Sequence, residues 1–128
     1  MKTYLLLSDD GIPFSFEIEN AYISRGEAAR LIQSHELVTH VEFRSRFGPS
    51  DDIRVRFTYA GKSFVVWEPY GDNSRYWVGP EELEQPLIDI RDLQKIFDAY
   101  RPSMFRRLIG SLVTLPNRVV NKGEIGKR

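Results

Sequence analysis

The stretch that decides the fold reads VEFRSRF from Val41 to Phe47 and DIRVRFTYAGKSFVVWEPYGDNSRYWVG from Asp52 to Gly79. Apolar and polar residues alternate along it, the mark of strands with one buried face. Val41, Phe43 and Phe47 share one parity, as do Ile53, Val55, Phe57 and Tyr59, while Glu42, Arg44, Arg46, Arg54, Arg56 and Thr58 take the other. Gly48-Pro49-Ser50-Asp51-Asp52 between the runs is turn chemistry. The hairpin so predicted sets Phe47 opposite Ile53, Phe43 opposite Phe57 and Val41 opposite Tyr59. On the other face it sets Arg46 against Arg54 and Arg44 against Arg56. A second turn at Ala60-Gly61 continues the sheet, with Phe57 opposite Phe64, Val55 opposite Val66, Arg56 beside Val65 and Arg54 beside Trp67.

Like charges directly opposite each other on a sheet are destabilising, by about some tenths of a kcal/mol per pair. Three resolutions are open. Trp67 takes a guanidinium over its ring. Carboxylates of a helix, Asp92 and Asp98 foremost, cover the arginines. Otherwise the patch is open, and Arg44, Arg46, Arg54 and Arg56 with Trp67 form a binding surface, unless the true register differs. Tyr70, Tyr76 and Trp77 gather beside Trp67, and at least one tryptophan is expected in the core.

Outward from this centre, Tyr4–Leu7 and Phe14–Ile18 pair as a first hairpin through Asp10-Gly11, with Leu7 meeting Phe14 and Leu5 meeting Phe16. Asp9, Asp10, Glu17 and Glu19 then form an acidic edge. Ser24-Arg25-Gly26-Glu27 has capping-box spacing and starts a helix whose stripe is Ala28, Ala29, Leu31 and Ile32. His35 and His40 flank its exit without a partnered Lys, Tyr or Ser to make an acid–base site. Gly79-Pro80 ends the sheet, followed by the acids Glu81, Glu82 and Glu84. Ile90, Leu93, Ile96, Phe97 and Tyr100 recur at helical spacing, and Tyr100-Arg101-Pro102 stops that helix. A third helix is expected from Ser103 to about Pro116, then a basic tail from Pro116 to Arg128.

The chain is therefore expected to be a single α+β domain over residues 1–115. It combines an antiparallel sheet of about five to six strands with one helix after strand 2 and two C-terminal helices. Formal charge is zero, but residues 1–100 carry 17 Asp and Glu against 11 Lys and Arg, a net of −6, and the remainder 7 Lys and Arg against 1 Glu, a net of +6. There is no cysteine, which excludes a disulfide frame or a thiolate metal site. Walker, GxGxxG, HExxH and nucleophile-elbow motifs are absent, so the pattern points to no enzyme, cofactor or metal. Met1–Asp10 has neither the length of a membrane span nor a cleavage site, the pattern of a cytoplasmic protein.

In size, cysteine-free α+β organisation and acidic body, the chain resembles small bacterial immunity proteins that neutralise a cognate toxin. The stretches WEPYGDNSRYWVGPEE from Trp67 and DIRDLQKIFDAY from Asp89 add to that resemblance. It implies a non-enzymatic inhibitor that binds its toxin, often a nuclease, and occludes the active site or substrate groove. Asp9, Asp10, Glu17, Glu19, Glu81, Glu82 and Glu84 would make the contact by imitating phosphates, or the arginine face would address carboxylates in the toxin's site. The alternative is a nucleic-acid-binding module, its arginines neutralising phosphates and Trp67 stacking a base.

Overall fold

A computed structural model describes residues 1–43, 53–69, 74–84 and 86–102. Six strands, β1 (Tyr4–Leu7), β2 (Pro13–Glu19), β3 (Val38–Phe43), β4 (Ile53–Tyr59), β5 (Lys62–Trp67) and β6 (Arg75–Pro80), form one antiparallel sheet. The helices α1 (Arg25–Gln33) and α2 (Arg91–Ala99) complete an α+β fold. The sheet order is β1-β2-β6-β5-β4-β3, so α1 carries the chain from the β2 side to the far edge. The meander β3–β6 then returns until β6 pairs with β2.

Both helices lie on one face, over the even-parity residues of β2, β5 and β6 and the odd ones of β4. Phe16, Ile18, Val55, Phe57, Phe64, Val66 and Val78 are buried there with Ala28, Ile32, Leu93 and Phe97. Phe16 packs on Phe97 with ring centroids 5.2 Å apart, joining the sheet to α2. Ser24 caps α1 as its spacing predicts, its Oγ accepting from the Glu27 amide at 3.1 Å. The Glu27 carboxylate pairs with Arg30. At α2 the N-cap residue, Ile90, has no side-chain cap; Asp89, one residue earlier, accepts from the Arg91 amide and pairs with its guanidinium, which holds the Asp89 carboxyl below its ordinary range.

Turn chemistry fixes both described hairpins. The Gly11 amide donates to Ser8 O and the Ser8 amide to Ile12 O, a three-residue loop with Gly11 at φ +82°, rather than the two-residue turn expected from Asp10-Gly11. The added residue moves Leu7 to face Pro13 instead of Phe14, while Leu5 meets Phe16 as expected. At the β4–β5 turn Ala60 (φ 51°) and Gly61 (φ 82°) are both left-handed, the primed geometry that matches strand twist.

The β3–β4 register differs from the sequence reading. Val38, not Val41, faces Tyr59, and Phe43 faces Val55. Glu42 and Phe43 thus pair two residues away from the expected register, and an irregularity between Thr39 and Glu42, where His40 adopts φ 53°, adds one more residue for Thr39 and Val38. In this register Glu42 stands opposite Arg56, a favourable cross-strand pair in place of the expected arginine opposition. Phe43, 50% exposed at this edge, lies under the Arg25 guanidinium at 5.4 Å. Arg44 and Arg46 fall outside the described residues, as do the third helix and the basic tail.

Gly79 and Pro80 do not end the sheet; they pair with Val65 and Phe64 inside β6. Proline donates nothing to a ladder, and the ladder resumes one residue later, where the Glu81 amide donates to Ser63 O at 3.0 Å. Among the described residues no helix is long and apolar enough to cross a membrane.

Candidate functional site

With α1 and α2 on one face, the opposite face of the sheet carries the residues out of phase with the core. One rung runs Tyr4, Glu17, Trp77, Trp67, Ile53 across five strands. The next runs Gly79, Val65, Arg56, Glu42. Charge on this face is organised by pairing, not by a patch of one sign.

Arg56 donates from Nε and Nη2 to both carboxylate oxygens of Glu81, at 2.9 and 2.6 Å, and Ser63 Oγ donates to the same carboxylate at 2.7 Å. A planar guanidinium meeting a carboxylate in this two-point geometry is among the stronger ion pairs. Arg54 Nε donates to Glu68 at 2.7 Å. The register offsets Arg54 from Trp67, which faces Ile53, because β4 is irregular between Ile53 and Val55. Neither arginine answers to the helix carboxylates: Asp98 accepts from the Thr3 hydroxyl, and Asp92 sits beside Lys95. Glu68 and Glu81, each just past a strand end, supply the charge instead.

The acidic edge is likewise dismantled. Glu17 is almost fully buried and pairs with Arg75 at 2.8 Å, and this hydrogen bond raises the Arg75 pKa further. Arg75 stacks over the Tyr4 ring at 3.9 Å, and the Tyr4 hydroxyl donates to Glu19. Burial, then that hydrogen bond, push the Tyr4 pKa upward. Asp9 and Asp10 are exposed in the β1–β2 turn. The structure therefore separates Asp9 and Asp10 from Glu17 and Glu19, and leaves Glu81, Glu82 and Glu84 together after β6.

Glu82 and Glu84 line a cleft with Lys62, Ser63 and Phe64, and next to Glu81 lies a separate, apolar groove of about 310 Å³. Its floor is Val65, and its walls are Trp67, Trp77, Ile53, Pro80 and Leu83 with Glu81 at the mouth. Trp67 and Trp77 meet edge to face with centroids 5.8 Å apart. Neither is in the core: Trp67 is 39% exposed and Trp77 half-buried, against the expectation of one buried tryptophan. Tyr76 leaves the expected aromatic cluster for the helix side, where it is buried, and Tyr70 lies outside the described residues. Trp77 lies flat because Gly79 has no side chain; a Cβ there would stand 2.6 Å from the indole and 2.8 Å from Ser15 Cβ. Leu83 is 66% exposed. Alternation alone could have found this groove, since Val65 and Trp67 are out of phase with Phe64 and Val66; Leu83, beyond the last strand, had no such signal.

Glu82 and Glu84 are exposed, and among the described residues neither is in a salt bridge. Their mutual hydrogen bond raises the Glu82 pKa, with repulsion from Glu84 acting the same way. A larger cleft, about 480 Å³, opens near Tyr4, Tyr22, Tyr100 and Arg101. The hydroxyls of Tyr4 and Tyr100 in it are committed to Glu19 and Glu27. His35 Nδ1 accepts from the Leu37 amide and its ring packs on Tyr59, a structural use of the histidine. Among the described residues no group of three His, Asp or Glu side chains could hold a metal ion.

These features define an α+β domain with helices on one face of an open antiparallel sheet and a tryptophan-lined groove on the other. No family model matches the chain, and neither a curated protein nor a solved structure does.

Proposed function

We propose that this chain is a non-enzymatic protein-binding inhibitor, acting as the resemblance to immunity proteins implies, and that it engages its partner with the outer face of the sheet. The observation that carries this reading is the exposed pair of Trp67 and Leu83 on an apolar groove of the outer face. Large apolar side chains clustered on a surface mark interaction sites, and tryptophan is over-represented among residues that dominate binding energy. The exposed carboxylates of Glu82 and Glu84 favour a basic partner, such as a nuclease groove built to hold phosphates, and speed its approach. The inhibitor would meet that toxin in the bacterial cytoplasm.

The alternative, a nucleic-acid-binding module, relied on Arg44, Arg46, Arg54 and Arg56 presenting one cationic patch. Arg54 and Arg56 are held by Glu68 and Glu81, and their charge is met within the chain. That weighs against it.

The test is co-expression with the toxin encoded by the adjacent reading frame. Protection of the cells and a co-purifying complex are the expected result, and Trp67→Ala should weaken binding by about 2 kcal/mol or more, as for a central anchor. A chain that neither protects against that toxin nor binds it removes the reading. Salt-sensitive binding of an oligonucleotide by the full chain would favour the alternative.

A further inference from the structure

α2 packs on the helix-covered face of the sheet, yet the chain has left that face by Pro102. Arg101 and Pro102 line the cleft that holds Tyr4, Glu19 and Tyr22. Tyr4 and Glu19 belong to the outer face, where they are hydrogen-bonded to each other beside Arg75. The described chain therefore ends at the margin of the outer face, where the rung Tyr4, Glu17, Trp77, Trp67 begins. Strands lie about 4.8 Å apart, so Trp77 and Trp67 stand about 10 and about 14 Å along that rung from Tyr4. A helix of ten residues, at about 1.5 Å each, covers the same span.

The groove at the far end of the rung calls for an apolar, uncharged occupant. Val65 is its floor, Trp67 and Leu83 stand exposed on its walls, and its one carboxylate, Glu81, is taken up by Arg56 and Ser63. The residues that follow Pro102 supply such an occupant. Met104, Phe105, Leu108, Ile109 and Leu112 recur at helical spacing on one side, with Arg106 and Arg107 on the other. Outside the described residues, 44–52 and 70–73 also adjoin β4 and β5 in sequence, but each brings a single aromatic side chain, Phe47 or Tyr70, and not a row.

We propose that residues 103–115 lie across the outer face of the sheet and close the groove with their apolar row, leaving Arg106 and Arg107 in solvent. Both faces of the sheet are then covered, each by amphipathic segments. The seat of this segment is independent of the inhibitor reading; a partner that engages Trp67 does so by displacing it.

The chain has two tryptophans, both lining the groove, and no cysteine, so emission and introduced thiols report on this face directly. In the full chain, tryptophan emission should be blue-shifted and resist acrylamide. The double variant Leu108→Asp/Leu112→Asp should shift emission to the red and raise the quenching constant at least twofold. Far-UV circular dichroism and a cooperative melt would verify that the sheet is intact; should that variant fail to fold, cross-linking decides. Full chains carrying Leu112→Cys with Leu83→Cys, or Leu112→Cys with Lys95→Cys, are treated with a short bismaleimide. Lys95 is nearer to Leu112 in sequence, but it is exposed on α2, across the sheet from the groove. A segment seated on the outer face should link to position 83 at least tenfold faster than to position 95, through its higher effective concentration there.

Equal rates, or faster linkage to position 95, overturn the inference. So do tryptophans open to acrylamide in the unaltered chain. A red shift in Phe47→Asp that Leu108→Asp/Leu112→Asp lacks overturns it too, by assigning the groove to residues 44–52. Quenching that changes with protein concentration overturns it by assigning the groove to a second copy. All of these measurements use the free chain without toxin, so their failure leaves the inhibitor reading to be judged by co-expression alone.

Discussion

Replacing Gly79 by alanine tests the geometry of the outer face at its tightest point. The residue has an ordinary φ, so backbone conformation does not demand glycine; space does. An alanine Cβ would lie 2.6 Å from one Trp77 ring carbon, 2.8 Å from another and 2.8 Å from Ser15 Cβ. Carbon atoms pack best at about 3.5–4.0 Å, so about 1 Å must be found. Ser15 is fully buried on a central strand and cannot yield it. Trp77 must therefore swing outward, giving up its edge-to-face contact with Trp67, which is worth about 0.5–1.5 kcal/mol. Residual overpacking against Ser15 costs about 1–3 kcal/mol, and the smaller entropy of alanine in the unfolded chain returns about 0.4–1 kcal/mol. The net is a loss of about 0.5–4 kcal/mol, centred near 2 kcal/mol. For a domain of this size about 2 kcal/mol is about 6–8 °C in melting temperature. Urea unfolding followed by circular dichroism measures the loss, and tryptophan emission, shifted to the red, reports the displaced indole. A Gly79→Ala protein of unchanged stability and unchanged emission would refute the placement of Trp77.

In a double-mutant cycle, Arg56→Met and Glu81→Gln should couple by about 1 kcal/mol in urea unfolding, more than an ordinary surface pair because the contact is two-point and about two-thirds buried, with coupling falling at high salt. Ala60→Gly should stabilise the chain by about 1 kcal/mol in the same assay, because Ala60 sits at φ 51° where a Cβ is strained. Glu82 should titrate above an ordinary glutamate in carboxyl-carbon NMR. Since its folded pKa is raised, the folded chain holds more protons there than the unfolded one, and stability falls as pH rises from the ordinary glutamate value through the folded pKa. In Glu84→Gln the Glu82 midpoint should move down, and an unmoved midpoint would exclude Glu84 as the cause.

The sequence by itself determined the six strands, the two described helices and most of the residues that look toward the core. Ile53, read as a core residue with Val55 and Phe57, instead faces outward beside Trp67 because β4 is irregular between Ile53 and Val55, and Phe43 is half exposed at the edge. Period-two alternation from Ile53 to Val66 and the helical spacing of Ile90, Leu93 and Phe97 are local and strong, and Ser24 announced its helix through capping chemistry. The pairings Phe57–Phe64 and Val55–Val66 followed because a two-residue turn leaves one register open. What only the tertiary structure decided was how segments distant in sequence meet. The β3–β4 pairing slid by two residues, setting Glu42 rather than Arg44 opposite Arg56, and a two-residue slip keeps every side chain on its own face, so alternation leaves no trace of it. The return of β6 to β2 brought Arg75 to Glu17, 58 residues away in sequence, and the turn after β6 brought Glu81 to Arg56, 25 away. Cation and carboxylate attract over any sequence separation, so charge composition alone could not say which would pair. Of the arginines that alternation offered as an open surface, Arg54 and Arg56 are held by Glu68 and Glu81. The one tryptophan expected in the core was left outside with the other, because both helices lie on the other face.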